Sequence, residues 1–184
     1  MADYWPNIIT GLSGLIGTLV GAGSTLIGQR IIRRDANKEE VAGLKNALAA
    51  EIEAYIHMVR LRDQIPLAQQ LIEANRAALN HGHFTSSSSV LPKGWLTSFE
   101  KNSEAFPVFR NNVDKIGKLG SVCGGIVRFY SQSAAIRLTL IATDEGKFDK
   151  CGPAEVIDIV QSEIDLWNET EALGETLIKQ LRSK

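Results

Sequence analysis

The chain is short of cysteine, methionine, histidine and net charge. Of 184 residues, two are cysteine, two methionine and three histidine, and 20 Lys+Arg stand against 21 Asp+Glu. Two cysteines are too few to staple a secreted disulfide scaffold. Cys123 and Cys151 lie 28 positions apart with no Cys-x-x-Cys pair, which argues against zinc and dithiol redox roles. A net charge of −1 lacks the basic excess of a nucleic-acid binder, so no nucleic-acid partner is expected. Apolar residues at 44% and charged residues at 22% exclude a wholly disordered chain, and the length allows one domain, or one domain with an appendage.

Signs of catalysis are equally sparse. The four serines at 86–89 have no nucleophile-elbow context. Gly120, Gly124 and Gly125 satisfy neither the dinucleotide fingerprint nor the Walker pattern. His81 and His83 have no cysteine or carboxylate at ligand spacing beside them, and His57 reads as a partly buried packing residue. Glu51 and Glu53, two apart, cannot share one helix face. The expectation is a protein that is not an enzyme, with no catalytic residue, cofactor or metal.

One absence is local. From Ile8 to Gln29 there are 22 residues without an Asp, Glu, Lys or Arg. As a helix this run spans about 33 Å, close to the hydrocarbon thickness of a bilayer. A cleaved signal peptide would carry positive charge before the run, but the preceding MADYWPN holds Asp3 and no Lys or Arg. A buried soluble or re-entrant helix is the other rival. The basic residues follow the run, at Arg30, Arg33, Arg34 and Lys38, which places the remainder of the chain on the cytoplasmic side and the N-terminus outside. Tyr4 and Trp5 stand where interfacial anchors belong, and Pro6 suits a first helical turn. The expected organisation is a membrane anchor over 1–32 and a helical cytoplasmic domain over 33–184, in contact with membrane lipid.

At 100° per residue, Thr10, Gly14, Gly17, Gly21, Ser24 and Gly28 fall within an arc of about 80°. Gly17 and Gly21 form a small-xxx-small pair, the kind of face along which membrane helices approach closely, and it predicts a homo-oligomer through the anchor. The opposing reading is the general frequency of glycine in membrane helices, and Gly23 lies off the face.

The rest of the chain reads as all-α. Val41, Leu44, Leu48, Ile52, Tyr55, Ile56 and Val59 recur at three and four, with Lys45, Asn46, Glu51, Glu53, Arg60 and Arg62 on a solvated face. Pro66 should kink or end this helix, with another over 67–80. A loop at 81–94 carries two glycines, the serines and Pro92, and a short helix should begin near Trp95. Helices are expected from Ser121 to about Thr143 and from about Pro153 to Leu181, around a turn at 144–153. Val156, Val160, Ile164, Trp167, Gly174, Leu177 and Leu181 form the inner face of the last one. The architecture expected is an antiparallel bundle in which the first cytoplasmic helix packs on the two C-terminal ones. Residues 144–184 carry net −5 and residues 1–143 net +4. That split reads as complementary helix faces, or as an acidic arm for a protein partner.

Residues 106–130 stand out. Phe109, Val113, Ile116 and Leu119 should pack inward, Gly117 and Gly120 permit a close approach or a left-handed helix end, and Arg110, Asn112, Asp114 and Lys115 should cap and tie a helix-turn-helix corner. The rival reading is a partner or ligand groove at Phe109, Arg110, Asp114, Lys115 and Tyr130. The pattern Pro107-x-Phe109 … Asp114-Lys115-Ile116-Gly117-x-Leu119 … Ile126-Val127-x-Phe129-Tyr130, with Leu48-x-x-Glu51-Ile52 upstream, resembles a widespread group of uncharacterised bacterial proteins with one N-terminal membrane helix. The resemblance implies a bacterial or phage source, a single-pass inner-membrane location and a helical cytoplasmic domain, and it carries no activity to any residue. The expected function is a membrane-anchored, oligomeric helical scaffold or accessory protein. An oligomeric pore or membrane-perturbing effector, and a ligand sensor using the 106–130 corner, are the alternatives.

Overall fold

The computed structural model describes residues 34–80, 96 and 104–183. Among these the chain is all-helical, with no strand. No helix of the described residues is long and apolar enough to cross a membrane. The run Ile8–Gln29, its small-residue face, Arg30, Arg33 and the loop 81–94 lie outside the described residues. The chain divides into two units, Met1–Gly43 and Leu44–Lys184. In the first, Arg34 and Lys38 are exposed on helix, and Lys38 pairs with Asp35 at 3.7 Å.

The second unit is built on a helix α1 (34–61), from Leu44 onward. Its four-residue repeat is the cause of its packing: Leu44, Leu48, Ile52 and Ile56 are all buried. The predicted break falls just ahead of Pro66. Arg62 and Asp63 form a turn, with Asp63 at φ 49, and α2 (Gln64–Asn80) starts immediately after. Pro66 therefore sits in the first turn of α2, where its missing N–H leaves no hydrogen bond unmade. α2 buries Ala68, Leu71 and Ile72, and Asn75 turns its side-chain amide back onto the Leu71 carbonyl at 2.8 Å.

The second half follows the expected order. A one-turn helix α3 (Pro107–Asn111) leads into a 3-10 stretch (Val113–Val122), then α4 (Cys123–Asp144) and α5 (Pro153–Arg182). Gly120 breaks the 3-10 stretch at φ 67, a left-handed conformation that costs glycine little. Gly146, at φ 75, turns the chain between α4 and α5, and a β-carbon there would also meet Asp149 Oδ2 at 2.6 Å. Pro153 opens α5, and the Gly152 N–H donates to Glu155 at 2.8 Å.

α5 is the spine. Its C-terminal half runs antiparallel to α1, with Arg182 bonded to Glu53 and Arg60 to Glu171 and Glu175. It also runs antiparallel to α4, where Gly125 lies against Leu177, Phe129 against Gly174 and Gln132 near Thr170, and Arg128 meets Glu169 at the surface. The N-terminal half of α5 carries α2: Ala68, Leu71, Val156, Val160 and Trp167 share one core. All seven residues predicted for the inner face of α5 are buried. The acidic surplus of 144–184 thus meets basic residues of α1 and α4 within the bundle.

Three placements differ from expectation. Val113 is 56% exposed, because the turn at Asn112 directs it outward while Ile116 and Leu119 pack inside. His57 is exposed, one position past the buried stripe that ends at Ile56. Glu51 leaves the solvated face of α1 and points into the bundle.

Candidate functional site

The 106–130 corner is organised by a helix start that cannot cap itself. Pro107 occupies the first position of α3, and the preceding Phe106 has no side-chain hydrogen-bond acceptor. Helix starts leave N–H groups without intrahelical partners, and serine, threonine, aspartate or asparagine usually supplies one. Here Glu51 of α1 does so from 57 positions away. Its Oε1 accepts the Val108 N–H at 2.7 Å and its Oε2 accepts the Phe109 N–H at 3.1 Å. The Tyr130 hydroxyl of α4 donates to Oε2 at 2.7 Å. One carboxylate therefore joins α1, α3 and α4, with its charge at a helix N-terminus.

Aromatic packing holds the same junction. Phe109 stacks on Tyr130 with centroids 4.1 Å apart and planes 16° from parallel. Phe106 meets Tyr130 edge-on at 5.0 Å and Tyr55 at 5.4 Å, and Tyr55 meets Phe129 at 5.8 Å. Phe106 has φ 59 and ψ 57, a left-handed conformation that costs a non-glycine residue roughly 1–3 kcal/mol. Edge-to-face aromatic pairs contribute about 0.5–1.5 kcal/mol each, so the two around Phe106 offset that cost. Burial, and next the hydrogen bond to Glu51, push the Tyr130 hydroxyl well above the usual tyrosine range.

Of the residues predicted for this corner, the structure brings Phe109 and Tyr130 together. Arg110 and Asp114 are exposed, and Arg110 faces Glu104 at 3.5 Å. Lys115 is half-buried, with its backbone N–H on Asn112. Asn112 bonds the Val108 carbonyl at 2.8 Å, inside the corner. Asn112 thus ties the corner as expected, while the N-terminal cap of α3 comes from α1 and not from Arg110, Asp114 or Lys115. Glu51 is the residue that sequence reasoning missed, having placed it on the solvated face of α1. The available signal was Pro107 at a helix start with an uncapping phenylalanine before it.

A second polar group lies where α2, α4 and α5 meet. A cavity of about 40 Å³ is lined by Thr139, Thr143, Phe148, Glu163 and Trp167 with apolar neighbours from α2. Oε2 of Glu163 is buried without a hydrogen-bond partner, and so is Oγ of Ser133. Burial raises the Glu163 pKa, while a hydrogen bond with Thr139 acts the other way. Burial also pushes Tyr55 up to about 12, and the charge of Glu163 raises it further. Among the described residues, no group of three His, Cys, Asp or Glu side chains is placed to hold a metal ion, and both cysteines are free thiols.

The fold defines an all-helical protein whose C-terminal helix is shared by two packing layers. Comparison with protein-family models, with curated proteins and with solved structures finds no match.

Proposed function

We propose that the chain is a membrane-anchored helical interaction protein, without enzymatic activity, that self-associates through its N-terminal segment. The observation that carries this reading is the 22-residue uncharged run closed by Arg30, Arg33, Arg34 and Lys38, joined to a chain that folds as a helical bundle. The bundle supports it from another side. The polar side chains of its most unusual corner, Glu51 and Tyr130, are turned onto backbone amides and onto each other, so their chemistry serves to join helices. In this reading the anchor spans a bacterial inner membrane once, with residues 33–184 in the cytoplasm. Lipid and further copies of the chain contact the anchor, and a protein partner contacts the bundle.

The test uses the full chain in nanodiscs, with oligomeric state read by native mass spectrometry. The wild type should be an oligomer and Gly17→Ile/Gly21→Ile a monomer, because β-branched side chains at both positions hold the backbones apart. An unchanged oligomer overturns the packing face. A reporter at the C-terminus that is reachable only from outside the cell overturns the orientation. The hydroxyls of Thr10, Ser13, Thr18, Ser24 and Thr25 favour the pore as a second reading, and depolarisation of cells on expression distinguishes it.

A further inference from the structure

Charge is polarised along the second unit. Arg182 bonds Glu53 and Arg60 bonds Glu175, so the last turns of α5 lie beside α1 over 53–60. A β-carbon on Gly125 would meet Leu177, which brings the start of α4, and the 3-10 stretch before it, to the same end. Residues 44–59, 104–126 and 176–183 make up this end, with six bases and four acids. Three of those acids are engaged: Glu51 on the Val108 and Phe109 amides, Glu53 on Arg182 and Glu104 on Arg110. Lys45, Lys115, Lys118 and Lys179 then stand against Asp114. Lys118 and Lys179 are exposed, Lys45 and Lys115 half-buried. Pairing among these groups leaves their sum positive. Residues 139–160, at the opposite end, carry net −3.

We propose that this basic end docks on an anionic lipid surface, that of the membrane holding the anchor. The inference rests on the membrane-anchored reading and extends it from the N-terminal run to the bundle. The basic end is the one at which the chain enters the second unit, at Leu44. Fourteen residues separate Gln29, the last of the uncharged run, from Leu44. A tether this short turns a weak attraction into an intramolecular one. The negative potential of a cytoplasmic leaflet attracts the lysine end and repels the acidic one, so the polarity of the bundle selects its orientation. Lysine stems lie along apolar surface while their ammonium groups meet headgroups. Val113, 56% exposed on the same 3-10 stretch, adds an apolar side chain of the kind that enters the headgroup boundary.

The test is lysine acetylation of the full chain in nanodiscs, read by peptide mass spectrometry. One set of discs is phosphatidylcholine alone and the other contains phosphatidylglycerol. Lys118 and Lys179 should react about threefold more slowly in the anionic discs. Lys147 and Lys150, at the acidic end, should not change. Sodium chloride at about 1 M should abolish the difference, since the screening length is then about 3 Å. Lys118→Glu/Lys179→Glu should remove the protection of Lys45 with an unchanged circular dichroism spectrum. Equal rates at Lys118 and Lys179 in the two lipids overturn the docking and leave the anchor standing. So does a slowing shared equally by Lys147 and Lys150. A chain that does not enter the discs overturns the anchored reading, and this proposal with it.

Discussion

A β-carbon placed on Gly174 would lie 2.8 Å from Cε2 of Phe129. The same atom would meet Ile56 Cδ1 at 2.7 Å and Ile52 Cγ2 at 3.2 Å, so α5 touches α4 and α1 at this one residue. The close approach is what lets three helices share a core with Phe129, Ile52 and Leu177 fully buried.

Gly174→Ala and Gly124→Ala should therefore have opposite signs. Alanine gains up to about 1 kcal/mol over glycine in a helix interior, while overpacking a core costs typically 1–3 kcal/mol. Gly124 faces open space, and its replacement should stabilise by a few tenths to about 1 kcal/mol. Gly174→Ala should destabilise by about 1 kcal/mol, and Gly174→Val by more. Urea denaturation of the three variants checks the order, and a stabilised Gly174→Val would refute the convergence at this residue.

Glu51→Ala should be among the more damaging single changes. It removes the acceptor of two backbone N–H groups and of the Tyr130 hydroxyl, and hydrogen bonds to a charged group are worth about 1.5–3 kcal/mol each before relaxation. A loss of roughly 2–4 kcal/mol is expected. Tyr130→Phe, which leaves both amides capped, should cost about 1 kcal/mol. A double-mutant cycle should return a coupling of at least ~0.5 kcal/mol, as expected of contacting residues. Additive effects would separate the two side chains.

Glu163 sets stability against rising pH. Its folded pKa is raised above the ordinary 4.5, chiefly by burial. Below 4.5 both folded and unfolded chains hold the proton and nothing is lost. As pH rises from there towards the folded value, the unfolded chain releases the proton first, and stability falls. Glu163→Gln keeps the neutral shape. The difference in melting temperature, variant minus wild type, should be near zero at about pH 4 and grow as pH is raised stepwise from there. A flat difference across that range would mean the carboxyl is solvated.

The helices were legible because their causes are local. The four-residue repeat from Leu44 to Ile56 and the one from Val156 to Leu181 each define a single apolar face, and Pro66 and Pro153 sit where helices start. Gly146 and Asp149 mark a turn by composition. The corner was legible as a place but not as a mechanism. Its cap lies 57 positions upstream, and nothing in the spacing of Glu51 distinguishes it from the solvated Glu53 two residues later. Val113 was misplaced for a similar reason: helical periodicity does not carry across the turn at Asn112 into a 3-10 stretch.

Helix α5 packs on α1 through its C-terminal half and on α2 through its N-terminal half, with α4 beside both, and α1 passes into α2 through the turn at Arg62 and Asp63. Opening of the α2 layer can therefore be told apart from opening of the α1 layer. If α2 lifts, Leu71, Val160 and Trp167 lose their cover while the Gly174 junction keeps its contacts. Amide protons in the first half of α5 should then exchange faster than those in the second, although both belong to one unbroken helix.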